Sequence, residues 1–372
     1  MSFSTQLAPL LAEPTPLMRQ FAALLEPMPD ARLEQLKAAS TALTRKYFGR
    51  TMRLFAPLYL SNECINTCAY CGFSRDNPIV RVTLEIEEMM KEVRHLAHEG
   101  FRNILLVAGE HPKFVSNGYL EACVRRMAGE IPSIGLEVAP METEDYLPLV
   151  AAGAESLIVY QETYHHELYR ELHTAGPKKD FLWRLDCPER AYAAGFRRIG
   201  IGALYGLAEW KYEALALAAH LEHLQRICWR AQLSVSLPRM RPAAGGFAPK
   251  FWLPDREFIQ LICALRLAFP QVGITLSTRE PAELRDVIAP LGVTMMSAGS
   301  HTEPGGYTGQ GVEHFHQTVR GARMVPLDEP AELATGQFGI SDERCPAEVA
   351  GVLRELGLEP VWKDWDAAIL NG

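Results

Sequence analysis

Leu54-Phe-Ala-Pro-Leu-Tyr-Leu60, a strand-like run, leads into Cys64-Ile-Asn-Thr-Cys68-Ala-Tyr-Cys71, and this junction decides the reading of the fold. The cysteines form a C-x3-C-x2-C pattern. Three thiolates so close together can hold three corners of a [4Fe–4S] cluster and leave the fourth iron without a protein ligand. That open iron can chelate a substrate or cofactor, so the cluster becomes a site of chemistry as well as an electron relay. A structural zinc site would want a fourth Cys or His nearby at finger-like spacing. The next such residues, His95 and His98, stand in a helix-period segment. A disulfide framework fits poorly: the start, Met-Ser-Phe-Ser-Thr-Gln, has no secretory pattern, and the other cysteines are scattered.

From residue 51 onward, short apolar runs alternate with helix-period segments. The runs are Leu54–Leu60, Asn103–Ala108, Gly135–Ala139, Ser156–Tyr160, Arg198–Ala203, Gln232–Leu237, Gly273–Ser277 and Val293–Ser297. Between the first two, Leu84, Ile86, Met89, Met90, Val93, Leu96 and Ala97 recur at helical spacing, and Gly100 ends the pattern. Repeated strand–helix alternation means parallel strands joined by right-handed crossovers. Eight such units predict an α/β fold, a closed (β/α)8 TIM-type barrel. Residues 1–50 read as an N-terminal helical extension, 51–307 as the barrel, and 308–372 as a C-terminal excursion and tail closing it. Within the last part, the stretch 308–337, with His314, His316, Arg320 and Arg323, reads as a solvated surface excursion ahead of a lid.

The chain has 372 residues, 48% of them hydrophobic, and a net charge of −8. That is enough for one large core and gives no basic face for nucleic acid. No apolar run reaches membrane-spanning length, so a cytoplasmic protein without membrane attachment is expected.

Polar residues collect where the runs end. The first run is followed by the cysteine loop, the second by Gly109-Glu110-His111, the fourth by Gln161-Glu162-Thr163, and the sixth by Arg239 and Arg241. Ser277-Thr278-Arg279-Glu280 ends the seventh and Ser297-Ala-Gly-Ser300 the eighth. Barrel active sites lie at the carboxyl ends of strands, so these groups predict one large site on one rim.

With these residues in view, the chain resembles the aromatic amino-acid lyases among radical S-adenosylmethionine (SAM) enzymes. The resemblance is carried by Leu58-Tyr-Leu-Ser-Asn62, Tyr70-Cys-Gly-Phe-Ser74, Val159-Tyr-Gln-Glu-Thr-Tyr164, Ser277-Thr-Arg-Glu280 and Pro304-Gly-Gly-Tyr307. Pro360-Val-Trp-Lys-Asp-Trp-Asp366 looks like the end of the 2-iminoacetate synthase family, the tyrosine lyases of thiamine thiazole synthesis. A similar tyrosine lyase, which serves the [FeFe]-hydrogenase cofactor, carries a second cysteine cluster motif; here only Cys345 stands in that region. The usual Gly-Gly-Glu of radical SAM enzymes reads Ala108-Gly-Glu110.

The resemblance implies a [4Fe–4S] cluster on Cys64, Cys68 and Cys71, with SAM as second cofactor. It implies that L-tyrosine is cleaved at Cα–Cβ to 2-iminoacetate (dehydroglycine) and 4-cresol. SAM is cleaved reductively to 5′-deoxyadenosine and methionine. It also implies thiazole synthase as protein partner and an electron donor such as flavodoxin or ferredoxin. For SAM, Tyr70 stands in the usual aromatic place, Glu110 with the Gly109 carbonyl would accept from the amine, and Arg184 would meet the carboxylate. Glu162 would take ribose hydroxyls or the amine. Gly202 would belong to an adenine shelf, with close strand packing an equal reading. For tyrosine, Arg279 and Ser277 would clamp the carboxylate, unless Arg279 pairs with Glu280. Arg239 and Arg241 would be further contacts, with a structural role an equal reading for each. The alternatives are a related lyase for another aromatic amino acid such as tryptophan, and a non-catalytic metal-binding partner in a thiamine assembly. Trp362 to Asp366 reads first as a docking tail.

Overall fold

The computed structural model describes residues 13–319, 323–327 and 329–362. Arg320 and the part of the terminal motif from Lys363 on lie outside them. Eight parallel strands appear in the expected order: β1 Thr51–Ser61, β2 Asn103–Ala108, β3 Ser133–Glu137, β4 Ala154–Glu162, β5 Arg198–Ala203, β6 Gln232–Ser236, β7 Gly273–Leu276 and β8 Met295–Ser297. Each pairs with the next, and β8 returns to β1 through Arg53–Met295, Leu54–Met296 and Phe55–Ser297, so the barrel is closed.

Strand side chains alternate between two environments, as a pleated strand requires. Leu54, Ala56 and Leu58 of β1 and Ile104 and Leu106 of β2 join the core beneath the helices, while Phe55, Tyr59, Leu105 and Val107 form the interior cluster. The helix predicted after β1 spans Ile86–His98. It begins with a capping box from Glu85 and Glu88 and buries Met89, Met90, Val93 and Leu96.

Helices Pro16–Leu24 and Asp30–Phe48 precede β1. Both lie against the helix Asp255–Ala268. Gln260 of that helix donates to the Leu24 and Glu26 carbonyls. The strand Glu359–Val361 pairs with Thr51–Arg53 at the amino end of β1. Trp362 then packs edge-on against Phe101, with centroids 5.1 Å apart.

The expected solvated excursion at 308–337 holds for exposed residues such as Glu313, His314 and Glu332, and is corrected at His316 and Gln337. His316 is buried and bonds Glu63 at 2.5 Å. Gln337 accepts from the Tyr59 hydroxyl at 2.9 Å, and its carbonyl accepts from the Gly72 N–H. Through these residues the segment is tied to the cysteine loop and to Tyr59 at the barrel mouth. The charged sequence concealed this because its polar side chains find polar partners inside.

Just beyond it, Asp342 and Arg285 form an ion pair with both side chains fully buried. Asp342→Ala would leave the Arg285 charge with its main partner gone, and a destabilisation of about 3 kcal/mol is expected. Urea unfolding of the two proteins checks it.

Candidate active site

The cysteine loop is pinned from three sides. Its Thr67–Cys68 segment pairs antiparallel with His173–Ala175. Asn66 donates to Glu110 at 2.7 Å and accepts from the Lys178 N–H at 2.9 Å. A Cβ on Gly109 would stand 2.3 Å from the Glu63 carbonyl oxygen, so only glycine lets the end of β2 reach the loop backbone. Tyr70 is buried and shares a 2.8 Å hydrogen bond with His173 Nε2. Nδ1 of that ring lies 2.7 Å from the Tyr169 carbonyl, to which it donates; this fixes Nε2 as acceptor of the tyrosine proton.

The loop fits a cluster. Burial pushes the Cys68 and Cys71 thiols up, with nearby Lys178 opposing. Buried thiols of this kind become thiolates when a metal supplies the charge. Among the described residues, no group of three or more His, Cys, Asp and Glu side chains could hold a metal ion at a single point. A cubane instead takes one thiolate on each of three separate irons.

Beside the loop stands a buried set of ions. Lys178 bonds Glu162 at 2.7 Å, and Arg184 lies 3.8 Å from the same oxygen. Burial alone would raise the Glu162 carboxyl, but the two cations outweigh it and hold it below the usual carboxylate range. Glu162 has φ 71°, and no other non-glycine among the described residues has positive φ. Such a backbone costs about 1 kcal/mol or more and concentrates at functional sites. Two anions, Glu110 and Glu162, and two cations, Lys178 and Arg184, match a ligand that carries an ammonium, a carboxylate and a sulfonium. Gly202 is explained by packing: a Cβ there would lie 2.5 Å from the Tyr160 ring.

A second compartment adjoins the carboxyl ends of β1, β3, β4 and β7. Tyr59, Glu137, Tyr160, Ser277, Arg279 and Ser300 line it. The Arg279 guanidinium sits 3.3 Å above the Phe338 ring. Among the described residues no carboxylate lies within 4.0 Å of it. Glu280, the expected competitor, is bound by Arg239 instead, and Arg239 also meets Asp255 at 2.6 Å and the Leu253 carbonyl. For Arg239 this favours the structural reading over the substrate contact: its guanidinium is committed to structural partners. Ser277 Oγ accepts from the Arg279 N–H at 3.4 Å. Arg241 has a buried Nε without a partner among the described residues and is absent from the pocket lining. Ser300 Oγ is likewise buried and unpartnered, but it faces the pocket. A larger cavity of about 690 Å3 lies toward the amino ends of the strands, around Arg53, Gly135 and Arg198. It is remote from the cysteine loop, and barrel chemistry belongs to the opposite rim.

Glu137, Lys178 and Phe338 were not singled out from the sequence. Glu137 was readable as a carboxylate at a strand end, but the predicted third run continued past it to Ala139. Lys178 sits in the single 3-10 turn Pro177–Lys179 between β4 and β5, too short for any periodicity to point to it.

A closed barrel with three loop cysteines after β1 and a buried ion cluster at the same rim defines a radical SAM enzyme. Residues 58–219 match the Radical SAM superfamily model, and residues 236–359 match the Biotin and Thiamin Synthesis associated domain. The chain belongs to the 2-iminoacetate synthase family. It is 40% identical to the 2-iminoacetate synthase of Escherichia coli over 346 residues, covering 93% of this chain and 86% of that protein. The Salmonella typhimurium 2-iminoacetate synthase matches equally, at 40% over the same shares. The FeFe-hydrogenase maturase HydG from Carboxydothermus hydrogenoformans superposes with a TM-score of 0.82 at 34% identity, over 97% of this chain and 79% of that one. A [4Fe–4S] cluster and SAM are therefore its cofactors. Among the described residues, no helix is long and apolar enough to cross a membrane.

Proposed function

We propose that the chain cleaves the Cα–Cβ bond of L-tyrosine to 2-iminoacetate and 4-cresol for the thiazole of thiamine. Cys64, Cys68 and Cys71 hold the cluster, and Glu110, Glu162, Lys178 and Arg184 hold SAM. When bound, these cofactors supply the radical that takes a hydrogen atom from the substrate amine. Arg279 clamps the substrate carboxylate with its guanidinium fork, and Ser277 and Ser300 add hydroxyl contacts. Clamping fixes the amine near the SAM compartment and removes orientational freedom. The observation that carries this reading is Arg279 itself: it is enclosed at the pocket with no carboxylate partner among the described residues, while its neighbour Glu280 is taken.

2-Iminoacetate hydrolyses in water to glyoxylate, so a protein acceptor is needed, and thiazole synthase fits that need. Flavodoxin or ferredoxin supplies the electron. Anaerobic reactions with tyrosine and with tryptophan, each followed for SAM cleavage and aromatic products, test the substrate. Cresol from tyrosine alone is the expected result. Coupled SAM cleavage with tryptophan and no cresol from tyrosine would move the substrate to the other aromatic amino acid. Addition of thiazole synthase and its remaining substrates is expected to lower free glyoxylate; an unchanged yield would remove that partner.

A further inference from the structure

Tyrosine reaches the pocket as a zwitterion at neutral pH, but a hydrogen atom leaves nitrogen readily only after the ammonium has shed its extra proton. The tyrosine-lyase reading, on which this inference rests, therefore needs a proton acceptor beside the amine. We propose that Glu137 is that base. It closes β3 at the carboxyl end, with the same inward parity as Gly135. It lines the pocket with Arg279, Ser277, Tyr59 and Tyr160. Among the described residues its carboxylate has no hydrogen bond and no ion pair within 4.0 Å, so both oxygens are open to a ligand. An enclosed carboxylate without a partner, beside an enclosed arginine without one, matches the two charged ends of an α-amino acid.

The surroundings set the two carboxylates of this rim apart. Arg279 faces Glu137 from the end of β7, Glu162 and Tyr160 from β4, Tyr59 from β1, and Lys178 and Arg184 from the segment after β4. Burial outweighs the cations and pushes the Glu137 carboxyl up to about 7. Glu162, held by Lys178 and Arg184, stays ionised. Paired carboxylates with separated proton affinities are a mark of divided roles. In the step itself, one ammonium N–H bond breaks and one O–H bond forms on Glu137. Ammonium and carboxylate are neutralised together, and no electron moves.

The test is the cresol rate between about pH 6 and 9 for the wild type, Glu137→Gln and Glu137→Asp, all loaded with cluster and SAM. Tyrosine affinity is measured separately by calorimetry on the unreduced enzyme. A base must be deprotonated, so the wild-type rate is expected to fall about tenfold per pH unit below about 7. Glu137→Gln is expected to lose about a hundredfold at pH 7.5. Its residual rate should climb with pH toward the amine's own range, because only free amine reacts. Its tyrosine Kd should weaken by less than its rate falls, its iron content should be unchanged, and Glu137→Asp should regain part of the rate. Wild-type rate and profile in Glu137→Gln would overturn the proposal; so would weaker tyrosine binding with kcat and its pH profile intact. If Glu137→Gln fails to assemble, a flat wild-type profile overturns it. A wild type that makes no cresol at any pH fails the tyrosine reading itself, which is a separate outcome.

Discussion

Cys68→Ala is expected to lose both the brown cluster absorbance and all SAM cleavage while the barrel stays folded. Cys68 is 4% exposed and sits in the two-residue strand that pairs with His173–Ala175. Its N–H donates to Ser74 Oγ at 3.1 Å. That contact and the strand pairing use the backbone, which alanine keeps, so the loop retains its shape. What alanine lacks is one of three thiolates. The fourth iron corner has no cysteine in this loop, so two sulfurs would have to retain four irons. Absorbance near 400 nm, iron and sulfide content, and far-UV circular dichroism check the prediction together. A variant with a full cluster and normal SAM cleavage would show that Cys68 is not a ligand.

Arg279→Ala has the second largest expected effect. Truncating one partner of an enclosed, hydrogen-bonded charge pair costs about 2–5 kcal/mol. At about 3 kcal/mol, kcat/KM for tyrosine falls more than a hundredfold. The cluster and SAM compartment lie on other strand ends, so iron content and tyrosine-independent SAM cleavage should be spared. Arg279→Lys should recover only part of the loss, because a point charge cannot reproduce the bidentate fork. Steady-state cresol kinetics with varied tyrosine measure all three proteins. Normal turnover of Arg279→Ala at ordinary tyrosine concentrations would refute the clamp.

Much of the barrel was legible because strand-end chemistry and hydrophobic period are both local. Asn103–Ala108 and Arg198–Ala203 match observed strands, and the cysteine loop stands directly after β1. What was hidden depends on distant pairing. Sequence neighbours left Glu280 open as an alternative partner of Arg279, and the fold gives Glu280 to Arg239, from the end of β6. His316 and Gln337 read as solvent-facing polar residues, and only tertiary packing sets them against Glu63 and Tyr59. Likewise, nothing local announces that Glu162 adopts a left-handed backbone or that Lys178 folds back onto it.

The most direct measurement is product stoichiometry in one anaerobic reaction. The reconstituted enzyme would be reduced with dithionite, given SAM and tyrosine, and assayed for 5′-deoxyadenosine, 4-cresol and glyoxylate. The tyrosine-lyase assignment predicts cresol and glyoxylate in equal amounts, with at least as much 5′-deoxyadenosine, and none of the three without tyrosine beyond slow uncoupled SAM cleavage. Abundant 5′-deoxyadenosine with no cresol, from enzyme carrying a full cluster, would contradict it.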